Sequence, residues 1–191
     1  MILSGTWRWL ILALFVLSHN ANAFQTSSNA IDPKPIAATG SITIAFTPQQ
    51  DAAGLIIDAI NLAQQQILVQ AYSFTHKAIA RALINAQQRG VKVSLIADKE
   101  QTDHMPYTQI PALAAGGIAV WLDAEHQSAH NKVMLIDAES PHAVVITGSF
   151  NFTAAAQYKN AENLLLLRGN PALTKRYQLN WQQHLLHSTP F

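Results

Sequence analysis

The chain has 191 residues, of which 49% are hydrophobic and none is cysteine, and its 12 Lys and Arg against 11 Asp and Glu leave a formal net charge of +1. That length suits one well-buried domain and is too short for two comfortable ones, and the lack of cysteine rules out disulfide stapling. A balance this close to neutral excludes a global positive field as the means of attracting a polyanion, so any such attraction must come from charges clustered at a site.

Arg8 precedes an apolar run from Trp9 to Leu17, and Ala21-Asn22-Ala23 forms a small-residue cleavage site before Phe24. This is the pattern of a secretory signal peptide over residues 1–23, with an apolar core much shorter than the roughly 20 residues a membrane-spanning helix needs. The expected location is secreted, in the periplasm, with no stable membrane association once the signal is removed. Loss of Arg8 also leaves the remaining acids and bases equal in number. Residues 24–40, rich in Ser, Asn, Pro and Ala, read as an extended leader, and 41–191 as a single domain.

Within that domain 41–46 alternates as a strand, and 51–66 places Leu55, Ile56, Ala59, Ile60 and Leu62 at helical spacing behind the start signals Thr47, Pro48 and Asp51. A strand over 67–72, a helix over 76–89 closed by Gly90, and a strand over 91–97 come next. Asp98 reads as a turn or capping residue. A weaker helix over 105–115 ends at Gly116-Gly117, and 118–122 is a short strand. Toward the end of the chain 161–167 is a near-continuous apolar strand, and 171–187 a closing helix with Leu173, Tyr177, Trp181 and Leu185 near one stripe. Strands alternating with helices predict an α/β fold, a mixed β-sheet flanked by helices.

Between these parts lies the stretch His130-Asn131-Lys132-Val133-Met134-Leu135-Ile136-Asp137, followed by Gly148-Ser149-Phe150-Asn151. In a strand His130 and Lys132 point to the same face and Asp137 to the other, so Asp137 reads as structural. A second β-rich run over 143–147, after the turn-forming 138–142, predicts a hairpin. Pairing His130 with Asn151 and Lys132 with Ser149 would bring an imidazole, an ammonium, a hydroxyl and a carboxamide onto one patch. A register one residue off would send Ser149 and Asn151 to the opposite face. Such a patch has the composition of a phosphate site, Lys132 supplying a point charge and Ser149 and Asn151 neutral donors. No carboxylate cluster lies beside it in the sequence, which argues against a divalent-ion route, so no metal and no cofactor is expected. His126 and His130, four apart, are a poor zinc pair because no third ligand is evident. His76, His104, His142, His184 and His187 have no motif around them, and each reads as a surface histidine.

His130-x-Lys132-x4-Asp137 with Gly148-Ser149-x-Asn151 resembles the HKD signature of the phospholipase D superfamily. One copy in a short secreted chain is similar to its bacterial periplasmic endonuclease branch. The resemblance extends to Ala71-Tyr72-Ser73-Phe74-Thr75 and Asn160-Ala161-Glu162-Asn163. The ten residues between Asp137 and Gly148 exceed the family's usual short gap, a difference a longer hairpin turn accommodates. The resemblance implies a phospholipase D-like fold with one HKD motif per chain, His130 as nucleophile, Lys132, Ser149 and Asn151 on the phosphate, and Asp137 and Gly148 as structural members. It also implies Glu162 hydrogen-bonded to the far nitrogen of His130, fixing its tautomer.

In-line displacement places the leaving oxygen opposite the attacking nitrogen, so one imidazole cannot also protonate it, and a single-motif chain is expected to act as a homodimer. The leading expectation is a metal-independent, sequence-nonspecific endonuclease on DNA, with RNA a second candidate substrate, since no base-reading module is present. The alternatives are a phospholipase D-type lipid hydrolase or transferase, and an inactive phosphate-binding module. Lys159 is a candidate contact to a flanking phosphate.

Overall fold

The computed structural model describes residues 33–191, and 36–191 form one compact unit. The expected signal peptide and leader residues 24–32 lie outside the described residues. In chain order the elements are β1 (Ser41–Thr47), α1 (Ala52–Leu62), β2 (Gln66–Ala71), α2 (Lys77–Gln88), β3 (Lys92–Asp98), α3 (Lys99–His104) and α4 (Ile110–Ala115). After these come β4 (Ala119–Asp123), β5 (Lys132–Ile136), β6 (Val144–Gly148), α5 (Ala154–Tyr158), β7 (Glu162–Arg168), α6 (Pro171–His187) and β8 (Thr189–Pro190).

All the strands join one mixed sheet in the order β1-β7-β6-β5-β2-β3-β4-β8. The β2–β3 and β3–β4 pairs are parallel, as helix crossovers require, and the others are antiparallel. Period-two alternation sends Ile67, Val69, Leu95, Met134 and Ile146 to one face, where they bury the apolar stripes of α1 and α2. Leu68, Ile96, Leu135 and Val145 go to the other, under Trp181 of α6. Each fully buried side chain of this kind contributes roughly 1.5–3 kcal/mol. The Trp181 indole N–H donates to the Val69 carbonyl at 3.0 Å, which orients α6 on the central strand. This is the mixed, helix-flanked sheet that the alternation of elements predicts.

Two expectations on element bounds need correction, and two short elements were not foreseen. The helix expected over 51–66 ends at Leu62, because Ala63 turns extended and the next three N–H groups leave the helix for the Asp137 carboxylate. The helix expected over 105–115 keeps only its second half, as α4, and the residues just before that span form a separate helix, α3. Asp98 caps α3 by accepting from the Gln101 N–H at 2.8 Å, and Met105, extended before Pro106, stops it, so α4 starts only at Ile110. The short α5 and the terminal β8 carry no sequence signal, since neither is long enough to show a period.

The sheet brings one set of strand ends together. Tyr72 follows β2, Asp98 and Asp123 end β3 and β4, Lys132 begins β5, Gly148 ends β6, and Glu162 begins β7. The carboxyl ends of parallel strands, continued by loops, are where open α/β sheets place ligands.

Candidate active site

His130 sits just beyond the first rung of β5. The ladder ends at Ala71 opposite Lys132, with one more bond from the Tyr72 N–H to the Asn131 carbonyl at 2.9 Å. His130 is thereby set against the Tyr72 ring, centroid to centroid 4.3 Å, and remains exposed. The Ala129 N–H donates to Asp98 Oδ2 at 2.8 Å, so the residue before the histidine is tied to the end of β3.

Lys132 is buried at 8% exposure. Its ammonium lies 2.9 Å from His130 Nδ1, donates to the His130 carbonyl at 2.8 Å, and stands 4.8 Å over the Tyr72 ring. Burial lowers its pKa to about 8, although the Glu162 carboxylate partly restores it. An ammonium donating to Nδ1 leaves the ring proton on Nε2.

The hairpin register differs from expectation. Met134, Leu135 and Ile136 pair with Ile146, Val145 and Val144, which puts Lys132 in line with Gly148, one residue short of Ser149. Continued as a regular strand, this register would turn Ser149 away. The chain corrects itself at Gly148: both the Ser149 and Phe150 N–H groups donate to the single Asn163 carbonyl, at 3.1 and 3.3 Å. Two residues opposing one is a β-bulge, and the extra residue reverses the facing of the side chains beyond it. Gly148 has φ of 149°, and a Cβ on it would lie 2.3 Å from the Asn163 carbonyl oxygen. Phe150 and Phe152, each 1% exposed, then anchor the segment in the core.

Beyond the bulge the Ser149 hydroxyl donates to Glu162 Oε2 at 2.6 Å and accepts from the Asn163 backbone N–H at 3.0 Å. The other Glu162 oxygen accepts from Asn160 Nδ2 at 3.0 Å. The hydrogen bond expected from Glu162 to His130 is therefore not formed within the chain: both carboxylate oxygens are engaged elsewhere, while Nδ1 faces Lys132. Glu162 reaches the lysine only through its field. The Asn151 carboxamide makes no hydrogen bond among the described residues, and its Oδ1 is buried.

Asp137, at the far end of β5, accepts from the N–H groups of Gln64, Gln65 and Gln66 at 2.7–3.0 Å, and five residues at about 3.3 Å each separate it from Lys132. Lys159 is exposed. Two histidines expected at the surface are buried. His76 caps α2 by accepting from the Ile79 N–H, with its pKa lowered by burial against the opposing pull of Asp51, and His184 lies beside Asp123. Spacing alone assigns no role to Tyr72, Asn160 or Asn163. Their place in Tyr72-x-Phe74 and Asn160-x-Glu162-Asn163 is the available signal.

The family model described as "Cardiolipin synthase, PLD-like domain" matches residues 56–185. A curated protein named Phospholipase D from Rickettsia prowazekii is 35% identical over 164 residues, which is 85% of this chain and 77% of the relative. Among solved structures, a phospholipase D family member, Nuc, from Salmonella typhimurium superposes with a TM-score of 0.74 at 32% identity, covering 80% of this chain and 99% of the other. NucT from Helicobacter pylori gives 0.72 at 26% identity, over 80% and 100%. A helix-flanked mixed sheet, an HKD constellation at its strand ends, and matches spanning most of the domain lead to one assignment: the chain belongs to the phospholipase D superfamily and is a phosphodiesterase of that family.

Proposed function

We propose that this chain is a periplasmic, sequence-nonspecific endonuclease that cleaves DNA, and RNA by the same chemistry, through a phosphohistidine intermediate. The observation that carries the reading is the polar rim of the site: His130, Ser149, Asn160 and Asn163 are all exposed and join Lys132 or Glu162 through hydrogen bonds, Asn163 by way of Ser149, and Lys159, next to Asn160 in the chain, is exposed too. A nucleic-acid backbone meets such a rim with charge and hydrogen bonds, whereas acyl chains gain nothing from it. The likeness to Nuc and NucT over their whole lengths supports the same reading.

Phosphodiester hydrolysis asks for a barrier reduction on the order of 20 kcal/mol, most of it from positioning and charge. As a phosphate enters, its oxygens draw the Lys132 ammonium off Nδ1, and the ring proton passes from Nε2 to the freed Nδ1 through solvent, so the imidazole stays neutral with its lone pair on Nε2. Nε2 then attacks phosphorus, the bond to the leaving oxygen breaks on the far side, and an acid there protonates it. Water next cleaves the N–P bond, giving up its proton to the group that supplied one. Asn151 offers its carboxamide to an equatorial oxygen. Ser149 does so once its hydroxyl turns from Glu162.

In-line geometry needs an acid on the far side, and a second copy supplies it as His130 of a two-fold dimer. On β1 the row Ile42, Ile44 and Phe46 is 51–57% exposed, on the face that α6 covers over β2 and β4 to β6. Its Phe46 end adjoins the Thr47–Glu162 pair, so a copy packed there buries the row beside the site.

The lipid reading has two observations in its favour: the same apolar row would suit a bilayer, and the Rickettsia relative is named Phospholipase D. Among the described residues no helix is long and apolar enough to cross a membrane. Incubating the purified protein in EDTA with plasmid DNA, RNA and phosphatidylcholine vesicles separates the two. Nicking that persists in EDTA and disappears in His130→Ala supports the nuclease. Release of choline without nicking overturns it.

A further inference from the structure

The last turn of α6 meets the end of β4 in a cluster that the reaction does not use. Asp123 is buried, and its Oδ2 lies 2.6 Å from His184 Nδ1 and 3.2 Å from His187 Nε2. The three ligand atoms fall within 4.8 Å of one another. The ring of His126 joins them, its centroid 5.3 Å from that of His184 and 5.5 Å from that of His187, which are themselves 5.2 Å apart. Two imidazoles thus meet one carboxylate oxygen, and a third ring, on the loop after β4, packs against both.

Sequence spacing helps to explain the geometry. His184 and His187 are three apart, so they share one face of the helix, and Asp123 and His126 are three apart across the turn leaving β4. The Glu125 N–H donates to Asp123 Oδ1 at 3.1 Å, turning Oδ2 toward the histidines in the manner of an outer-shell orienting contact. A hydrogen-bonded carboxylate needs one imidazole, not three. Two ring nitrogens converging on one carboxylate oxygen can exchange their protons for a shared cation, which each would then ligate through its lone pair.

We infer that Asp123, His126, His184 and His187 form a structural binding site for a transition-metal dication of the zinc type. Three imidazoles and one carboxylate are a donor set suited to tetrahedral Zn²⁺ and poorly suited to Mg²⁺ or Ca²⁺, which take oxygen ligands. Arms of about 2.0–2.1 Å put tetrahedral ligand atoms roughly 3.4 Å apart, near the 3.2 Å between Asp123 and His187 and wider than the 2.6 Å between Asp123 and His184, which a bound ion would open. The ion would clip α6 to the loop between β4 and β5, the segment that runs from Asp123 to His130. It takes no part in the cleavage chemistry, so chelation should loosen the fold without stopping the reaction at 25 °C.

The test uses the untagged protein after dialysis against chelator, titrated with ZnCl₂ and separately with MgCl₂ by calorimetry and thermal melting. Zinc should bind one per chain with Kd below about 10 μM and raise Tm by about 5 °C or more, and magnesium should do neither. In His126→Ala/His187→Ala, whose replaced rings lie toward the surface, zinc affinity should fall by at least about 100-fold while the metal-free Tm stays within about 2 °C of wild type. Zinc binding weaker than about 10 μM, an unchanged affinity in the double variant, or an equal response to magnesium would overturn the site.

Discussion

Lys132 shows at the scale of one residue how function and stability oppose each other. It is buried beside an imidazole and an aromatic ring, where the proposed reaction would use its charge on a phosphate, and the cost appears as a pKa lowered to about 8. An unfolded lysine keeps its proton to about 10.4, so between the two values the unfolded chain binds more protons and stability rises with pH. Below pH 8 both states are charged and the folded state carries the full cost of burial. Lys132→Met should therefore raise Tm at pH 7 by about 2–4 °C, lose that advantage as pH rises toward 10, and abolish phosphodiester cleavage. Thermal melts across pH 6–10 read the sign. In the wild type, cleavage should also decline above about pH 8 as the ammonium discharges, giving the alkaline limb of a rate profile.

At the scale of the element, the site depends on one irregularity in one strand. The β5–β6 register alone would have faced Ser149 the wrong way, and the bulge after Gly148 restores it. Gly148→Ala would press a Cβ on the Asn163 carbonyl oxygen at 2.3 Å in a backbone conformation that L side chains rarely adopt. The expected outcome is a loss of about 2–3 kcal/mol in urea unfolding and at least a tenfold fall in kcat, the second because Ser149 and Asn163 move together. Asp137 acts at the opposite end of β5 by satisfying three backbone N–H groups where α1 hands over to β2. Asp137→Ala should cost about 2–3 kcal/mol in the same assay and leave KM for DNA within about twofold, because the residue is remote from His130.

At the scale of the whole molecule, the question is whether one chain suffices. Both Glu162 oxygens are occupied within the chain, Nδ1 of His130 is met by an ammonium, and the Asn151 carboxamide has no partner among the described residues. A second copy would complete that set. Mixing wild type with a fivefold excess of His130→Ala, after subunit exchange is shown by mass-labelled protein, should reduce activity well below the wild-type fraction. Activity that tracks simple dilution would place all the chemistry in one chain. Ile44→Glu should shift the protein to monomer in sedimentation and reduce cleavage at least tenfold, since a charge buried opposite its symmetry mate is costly.

The amino-acid sequence by itself determined what is local. The alternation of strands and helices, the apolar stripe of α6, the cap at Asp98 and the pairing of His130 with Lys132 on one strand face all stem from spacings of two to four residues. The HKD residues were legible for the same reason. Only the tertiary structure decided where distant segments meet. A slip of one in β5–β6 and a bulge that reverses it cannot be read from alternation, because each leaves the local pattern of Phe150 and Phe152 intact. Glu162 chose Ser149 and Asn160 because β7 lies beside β6, not beside β5. Asp123 and His126 are one local pair and His184 and His187 another, and the two pairs, with Asp123 and His184 61 residues apart, meet only when α6 folds back across β4.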